Sequence, residues 1–186
     1  GWGVAPPNPG NAITLAKPRR IETLWQDHPH TMLDASGTAV GLPPGYIGNS
    51  EVGQLHLGAG RLVKQDLVRI NEAIKNKTFF KNKELVNAMQ NKTVHLLGLV
   101  SDAGVHSHID HLLALIQLAK QQKARQVFVH AITDGRDTPP QGAMPYLRTV
   151  ENALAKSNEN WKLATVMGRY YAMDRNQNWR LTQAAY

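Results

Sequence analysis

Cysteine is absent from the 186-residue chain, which excludes disulfides, thiolate metal sites and a cysteine nucleophile. No stretch approaches the ~18 consecutive apolar residues of a membrane helix, and no basic-then-apolar start resembles a signal peptide. Glycine-rich dinucleotide loops and Walker-type loops are missing, as are internal repeats and low-complexity tracts. Aromatic residues are scarce at 6%, and the Lys and Arg side chains are not interleaved with them as a nucleic-acid stacking platform requires. What remains is ordinary globular composition, 42% hydrophobic and 19% charged. These absences lead to the expectation of a cytoplasmic protein without membrane or nucleic-acid partners.

Charge is present and uneven. Residues 1–64 carry 5 basic and 4 acidic side chains, net +1, and residues 65–186 carry 16 and 10, net +6, which together make the +7 of the chain. An excess of this sign in the second part suits an anionic ligand there. A solvated basic surface is the plainer reading of charge alone. The chain opens Gly-Trp-Gly without Met and stops at Tyr186 within a helical stretch, so it reads as a fragment.

Patterning separates the same two parts. Residues 1–12 read as loop, Ile21–Gln26 as a short helix and Thr31–Ala35 as a short strand. Residues 36–60 hold seven glycines and two prolines, so little regular structure is expected before a helix beginning at Ser50. Apolar spacing predicts helices over Leu62–Ile74 and Lys83–Gln90. Beyond residue 92 strands over Thr93–Val100, Gln126–Ile132 and Lys162–Met167 alternate with helices over Ile109–Gln121 and Gly142–Ala155. Strand–helix alternation with short joints implies an α/β fold with a parallel sheet. Apolar runs suggest that both sheet faces are covered.

In such sheets ligands bind beyond the carboxyl ends of the strands. Each strand here ends in polar residues: Ser101-Asp-Ala-Gly-Val-His-Ser-His108, Asp134-Gly-Arg-Asp137 and Gly168-Arg-Tyr-Tyr-Ala-Met-Asp-Arg175. His106, Arg136, Asp137, Arg169 and Arg175 would then converge on one crevice suited to a small anion, because guanidinium matches carboxylate and phosphate with paired hydrogen bonds. Ser50, in Gly45-Tyr-Ile-Gly-Asn-Ser-Glu-Val-Gly53, is a candidate nucleophile, and with no obvious histidine base beside it, metal activation is the natural means. It could equally be a helix-capping serine. His106-Ser-His108-Ile-Asp110-His111 has the H-x-H-x-D-H spacing of two-metal hydrolases of the metallo-β-lactamase type, or else places His108 and His111 in a first helical turn. A basic nucleic-acid-binding domain is the further alternative, drawn from the charge.

Several segments, in one order, resemble the cofactor-independent (2,3-bisphosphoglycerate-independent) phosphoglycerate mutases of the alkaline phosphatase superfamily. They are Gly1-Trp-Gly3, Ala35-Ser-Gly37 leading to Ala39-Val-Gly-Leu-Pro43, Gly48-Asn-Ser-Glu-Val-Gly53, Gly58-Ala-Gly-Arg61, Gln65-Asp66 with Arg69-Ile70, Gly104-Val-His-Ser-His108, Asp134-Gly-Arg-Asp137, and Gly168-Arg-Tyr-Tyr171 with Met173-Asp-Arg175. The set outweighs the plainer reading of any single member.

The resemblance implies interconversion of 3-phosphoglycerate and 2-phosphoglycerate, in glycolysis and gluconeogenesis, through a phosphoserine. Residues 1–64 would open an alkaline-phosphatase-like domain that holds two Mn²⁺ or similar divalent ions. Residues 65–186 would be part of an inserted phosphotransferase domain. Ser50 would be both nucleophile and metal ligand, and His106, Arg136, Asp137, Arg169 and Arg175 would bind the phosphoglycerate, in a protein monomeric when complete. The family's other metal ligands fall outside this sequence, so the chain alone is expected to be inactive and to bind metal poorly. Departures from the family pattern are mild: Gln54 stands for His, Ala103 for Gly, and Arg180-Leu181 for the Asp-Arg that usually follows Trp179.

Overall fold

Glycine and proline punctuate the first 65 residues, and regular structure forms only between them. The computed structural model describes residues 2–186, which leaves Gly1 outside, and the chain divides into two units, 1–65 and 66–186. The first holds helices α1 (Ala12–Ala16), α2 (Arg19–Asp27) and α3 (Ser50–Ala59), with a 3-10 turn at Gly37–Val40. Sequence reading did not anticipate α1, which starts where the Asn11 side chain accepts from the N–H groups of Ile13 and Thr14.

The strand expected over Thr31–Ala35 is absent, and that segment is irregular. Met32 and Leu33 are 61% and 71% exposed, and among the described residues of this unit no strand exists to satisfy their backbone groups. Residues 37–48 close into a compact loop instead, with Gly37 N–H donating to Tyr46 O at 2.8 Å and Leu42 N–H to Gly37 O at 3.0 Å.

The second unit contains α4 (Asp66–Lys75), a 3-10 turn at Phe79–Lys81, α5 (Lys83–Met89), β1 (Thr93–Val100), α6 (Ile109–Gln121), β2 (Gln126–Thr133), α7 (Ala143–Ser157), β3 (Lys162–Gly168), α8 (Arg169–Ala172) and α9 (Trp179–Ala185). Helix α4 begins four residues later than the apolar spacing of Leu62–Ile74 predicts. Gln65 N–H is already committed to Gly41 O at 2.9 Å, and Leu62 is 51% exposed, so neither is available to an earlier turn. The single turn α8 lies in what sequence reading treated as loop.

The sheet has the order β1-β2-β3, parallel throughout. Pairing of β1 with β2 is regular from Thr93↔Gln126 to Val100↔Thr133. Between β2 and β3 the register shifts at Val129/His130. One core joins Val94 and Leu96 of β1 and Val127, Val129 and Ala131 of β2 to Ile116 and Leu118 of α6, Leu147, Val150 and Leu154 of α7, and Trp161. Burying each large aliphatic side chain of this set contributes about 1.5–3 kcal/mol.

The expectation that both sheet faces are covered holds only in part. Core residues alternate along β1 and β2; on the other face His95 is exposed and Leu97 is 68% exposed, while Leu99 is buried. That outer face carries a polar ladder across all three strands: His95 Nδ1 lies 2.9 Å from His130 Nε2, and His130 Nδ1 lies 2.9 Å from Thr165 Oγ1. Two consecutive crossovers of one hand bring α6 and α7 to the same side, and an apolar run such as Leu96-Leu97 does not reveal that one of its members faces water. All three strands point the same way, so the loops after β1, β2 and β3 share one edge.

Candidate functional site

Ser50 is the first residue of α3. The cap of that helix is Asn49, whose Oδ1 accepts from Val52 N–H at 2.9 Å. Ser50 is therefore not the capping serine of the plainer reading. Its exposed side chain has no hydrogen bond among the described residues. Nor is His56 a base in waiting. Its Nδ1 lies 2.6 Å from Val52 O, and its Nε2 accepts from Val63 N–H at 2.9 Å, so both ring nitrogens are used in holding the end of α3 to the segment that follows.

The approach to Ser50 is set by Gly48. A Cβ there would stand 1.9 Å from the backbone oxygen of Ala35, so the two chain segments pass too closely for any side chain. Gly48→Ala is expected to destabilise the loop by about 1–3 kcal/mol. Denaturant unfolding would check this.

In the second unit the strand-end residues do meet. A hollow of about 550 Å³ is lined by His106, Arg136, Arg169 and Arg175, together with Asp134 and Asp174. Asp137 joins them through Arg169, whose Nη1 donates to Asp137 Oδ2 at 2.7 Å and to Asp134 Oδ1 at 2.8 Å. Nη2 of Arg169 lies 3.2 Å from His106 Nε2. His106 Nε2 also lies 3.6 Å from Asp137 Oδ2, so the ring stands between the guanidinium and that carboxylate. Arg136 and Arg175 are exposed and make no side-chain hydrogen bond or ion pair among the described residues. The site thus presents two uncommitted guanidinium groups beside a third held in place.

Sequence reading missed Asp134 and Ser101. Asp134 is buried, and its carboxylate accepts from Ser101 Oγ at 2.8 Å and from the N–H groups of Arg136 and Asp137 at 3.1 and 2.9 Å, besides Arg169. Burial opposes its ionisation. The hydrogen bonds from Asp137 N–H, Arg169, Ser101 and Arg136 N–H outweigh that and hold the carboxyl at about 2. Because this pKa is depressed on folding, the stabilisation is fully present above about pH 4 and disappears as pH falls toward 2. It amounts to about 2 kcal/mol. Acid titration of the unfolding free energy should show the loss in that window and none between pH 5 and 8 from this group.

A second carboxylate steadies the first loop. Tyr146 of α7 donates to Asp102 Oδ1 at 2.5 Å, and this bond raises the tyrosine pKa. Signals for these partners were present as residue types directly after the strands, but nothing in spacing pairs positions more than thirty residues apart.

The H-x-H-x-D-H segment does not gather as a metal site. His108 caps α6, its Nδ1 accepting from Asp110 N–H at 3.2 Å. His111 Nε2 instead donates to Asn71 Oδ1 at 2.7 Å. Burial, then the neighbouring His108, lowers the His111 pKa against the pull of Asp110. Among the described residues no three His, Asp or Glu are placed to hold a metal ion. The donor set does not fit a divalent-metal centre by itself, and Ser50 stands as one isolated oxygen. Among the described residues no helix is long and apolar enough to cross a membrane.

Residues 70–186 match the family model for the BPG-independent PGAM N-terminus. Curated relatives named 2,3-bisphosphoglycerate-independent phosphoglycerate mutase align with the whole chain at 48% identity in Clostridium beijerinckii, 49% in Moorella thermoacetica and 51% in Symbiobacterium thermophilum. The chain spans 37% of the length of each. A solved structure of Leishmania mexicana phosphoglycerate mutase, obtained at low cobalt concentration, superposes with a TM-score of 0.72 at 32% identity, covering 100% of this chain and 36% of that one. Segment order, parallel sheet and matched family model agree, and the chain belongs to the BPG-independent phosphoglycerate mutase family through that family's N-terminal region.

Proposed function

We propose that this chain supplies the nucleophile and part of the substrate site of an enzyme that interconverts 3-phosphoglycerate and 2-phosphoglycerate. The observation that carries the reading is the hollow at the strand ends, where Arg136 and Arg175 are uncommitted and Arg169 is fixed beside His106. A phosphoglycerate bears a carboxylate and a phosphate, and paired guanidinium donors suit both. His106, Arg136, Asp137, Arg169 and Arg175 would hold it.

Chemistry assigns Ser50 the complementary part. Its Oγ forms a bond to phosphorus while the ester oxygen of the glycerate leaves. The serine gives up its proton and the leaving oxygen gains one. The retained glycerate then takes the group back on its other hydroxyl. Retention distinguishes a mutase from a phosphatase, and the arginines supply it. The family's divalent ions, Mn²⁺ or a similar metal, would polarise the phosphoryl oxygens and favour the serine alkoxide. Only Ser50 of the described residues is offered to them, so the chain as it stands is expected to bind Mn²⁺ weakly in calorimetry. Residues 1–64 are assigned to the phosphatase-like domain and 65–186 to the phosphotransferase domain of a monomeric, cytoplasmic glycolytic enzyme.

The deciding experiment treats the complete protein, loaded with Mn²⁺, with 3-phosphoglycerate and maps phosphopeptides by mass spectrometry. One phosphoryl group on Ser50, appearing and discharging with turnover, is expected. Turnover with the label on another residue would defeat the assignment.

A further inference from the structure

We propose that Asp134 is the positioning residue of this anion site, a buried carboxylate that sets all three strand-end loops at once; the proposal rests on the phosphoglycerate reading of the hollow. Its side chain is 1% exposed. It collects Ser101 Oγ from the end of β1, the N–H groups of Arg136 and Asp137 from the loop after β2, and Arg169 Nη1 from the residue that follows β3. Three of the four donors meet on Oδ1, and Oδ2 accepts from Ser101. The negative charge of the carboxylate would repel an anion. Asp134 lines the hollow without being suited to touch what binds there.

Its effect is on direction. With Nη1 of Arg169 taken by Asp134 and Asp137, the guanidinium plane is fixed and Nη2 is turned to His106. The same oxygen, Oδ1, holds the backbone on which Arg136 sits. Freed from Asp134, Arg169 would pair with Asp137 alone and could swing. A misplacement of about 1 Å in a positioning group can lower turnover on the order of 100-fold.

Asparagine and alanine separate direction from charge. In Asp134→Asn the Oδ1 acceptor remains for both N–H groups and for Arg169, and the amide can donate to Ser101 Oγ. In Asp134→Ala every one of these partners is lost. In the complete Mn²⁺-loaded protein, kcat/KM for 3-phosphoglycerate is expected to fall on the order of 100-fold in Asp134→Ala and less than about tenfold in Asp134→Asn. Should the alanine variant not fold, a cycle of Asp134→Ser, whose hydroxyl stops one bond short of the carboxylate oxygens, with Arg169→Lys decides. Positioning through Arg169 makes the lysine change cost less in the serine background than alone. Independent, multiplying effects, or a folded alanine variant with wild-type kcat/KM, would overturn the proposal. A wild type that binds inorganic phosphate but never turns over phosphoglycerate would sink the functional reading instead, and the same cycle read in phosphate affinity would still judge Asp134.

Discussion

On the proposed phosphoserine mechanism, Ser50→Ala in the complete protein is expected to abolish the phosphoryl adduct and to lower mutase turnover by at least about 10³-fold, because the covalent step then has no acceptor. The structure makes this a clean chemical test. Asn49, not Ser50, caps α3, and the serine hydroxyl has no hydrogen bond among the described residues. Alanine is the better helix former, so thermal stability should change by less than about 0.5 kcal/mol. Activity lost at unchanged stability identifies Ser50 as the acceptor. A turning-over Ser50→Ala protein would remove it from the mechanism altogether.

Arg169→Ala should damage both stability and binding. Its side chain is 11% exposed and pairs with an Asp134 carboxylate that is 1% exposed. Removing one partner of such a pair leaves a buried charge short of its counter-ion, which costs about 3 kcal/mol. Asp134 keeps its three other donors, so unfolding outright is not expected; a fall of roughly 10 °C in Tm is. Burial works against the Arg169 charge, but Asp137 and Asp134 outweigh it and raise the arginine pKa, so no pH change mimics the substitution. Arg136→Gln and Arg175→Gln give the contrast. Both side chains are exposed and uncommitted, so their loss should leave Tm within about 1 °C while weakening phosphoglycerate binding in calorimetry. Equal Tm losses for all three arginines would contradict the division.

The legible parts of the sequence were those written in local periodicity. Helix α6 spans the residues its apolar stripe predicts, and β1 spans the run from Thr93 to Val100. What failed depended on distant partners. Thr31–Ala35 has strand-like residues but no strand beside it, and Leu62–Gln65 continues a helical pattern while its backbone is bound to Gly41. The open sheet face was invisible because the position of a crossover helix is a property of three strands together. At the site the charged residues were readable from their place after each strand. Asp134 lies within a legible motif, but its role depends on Ser101 and Arg169, 33 and 35 residues away.

Trp161 gives the second unit an optical label of its own. It is 5% exposed within the core, and its indole N–H is buried without a partner among the described residues. Trp2, Trp25 and Trp179 are 49%, 37% and 74% exposed. Blue-shifted fluorescence emission should therefore come from Trp161, and its red shift should follow the melting of the sheet and its helices while the other three indoles stay nearly silent.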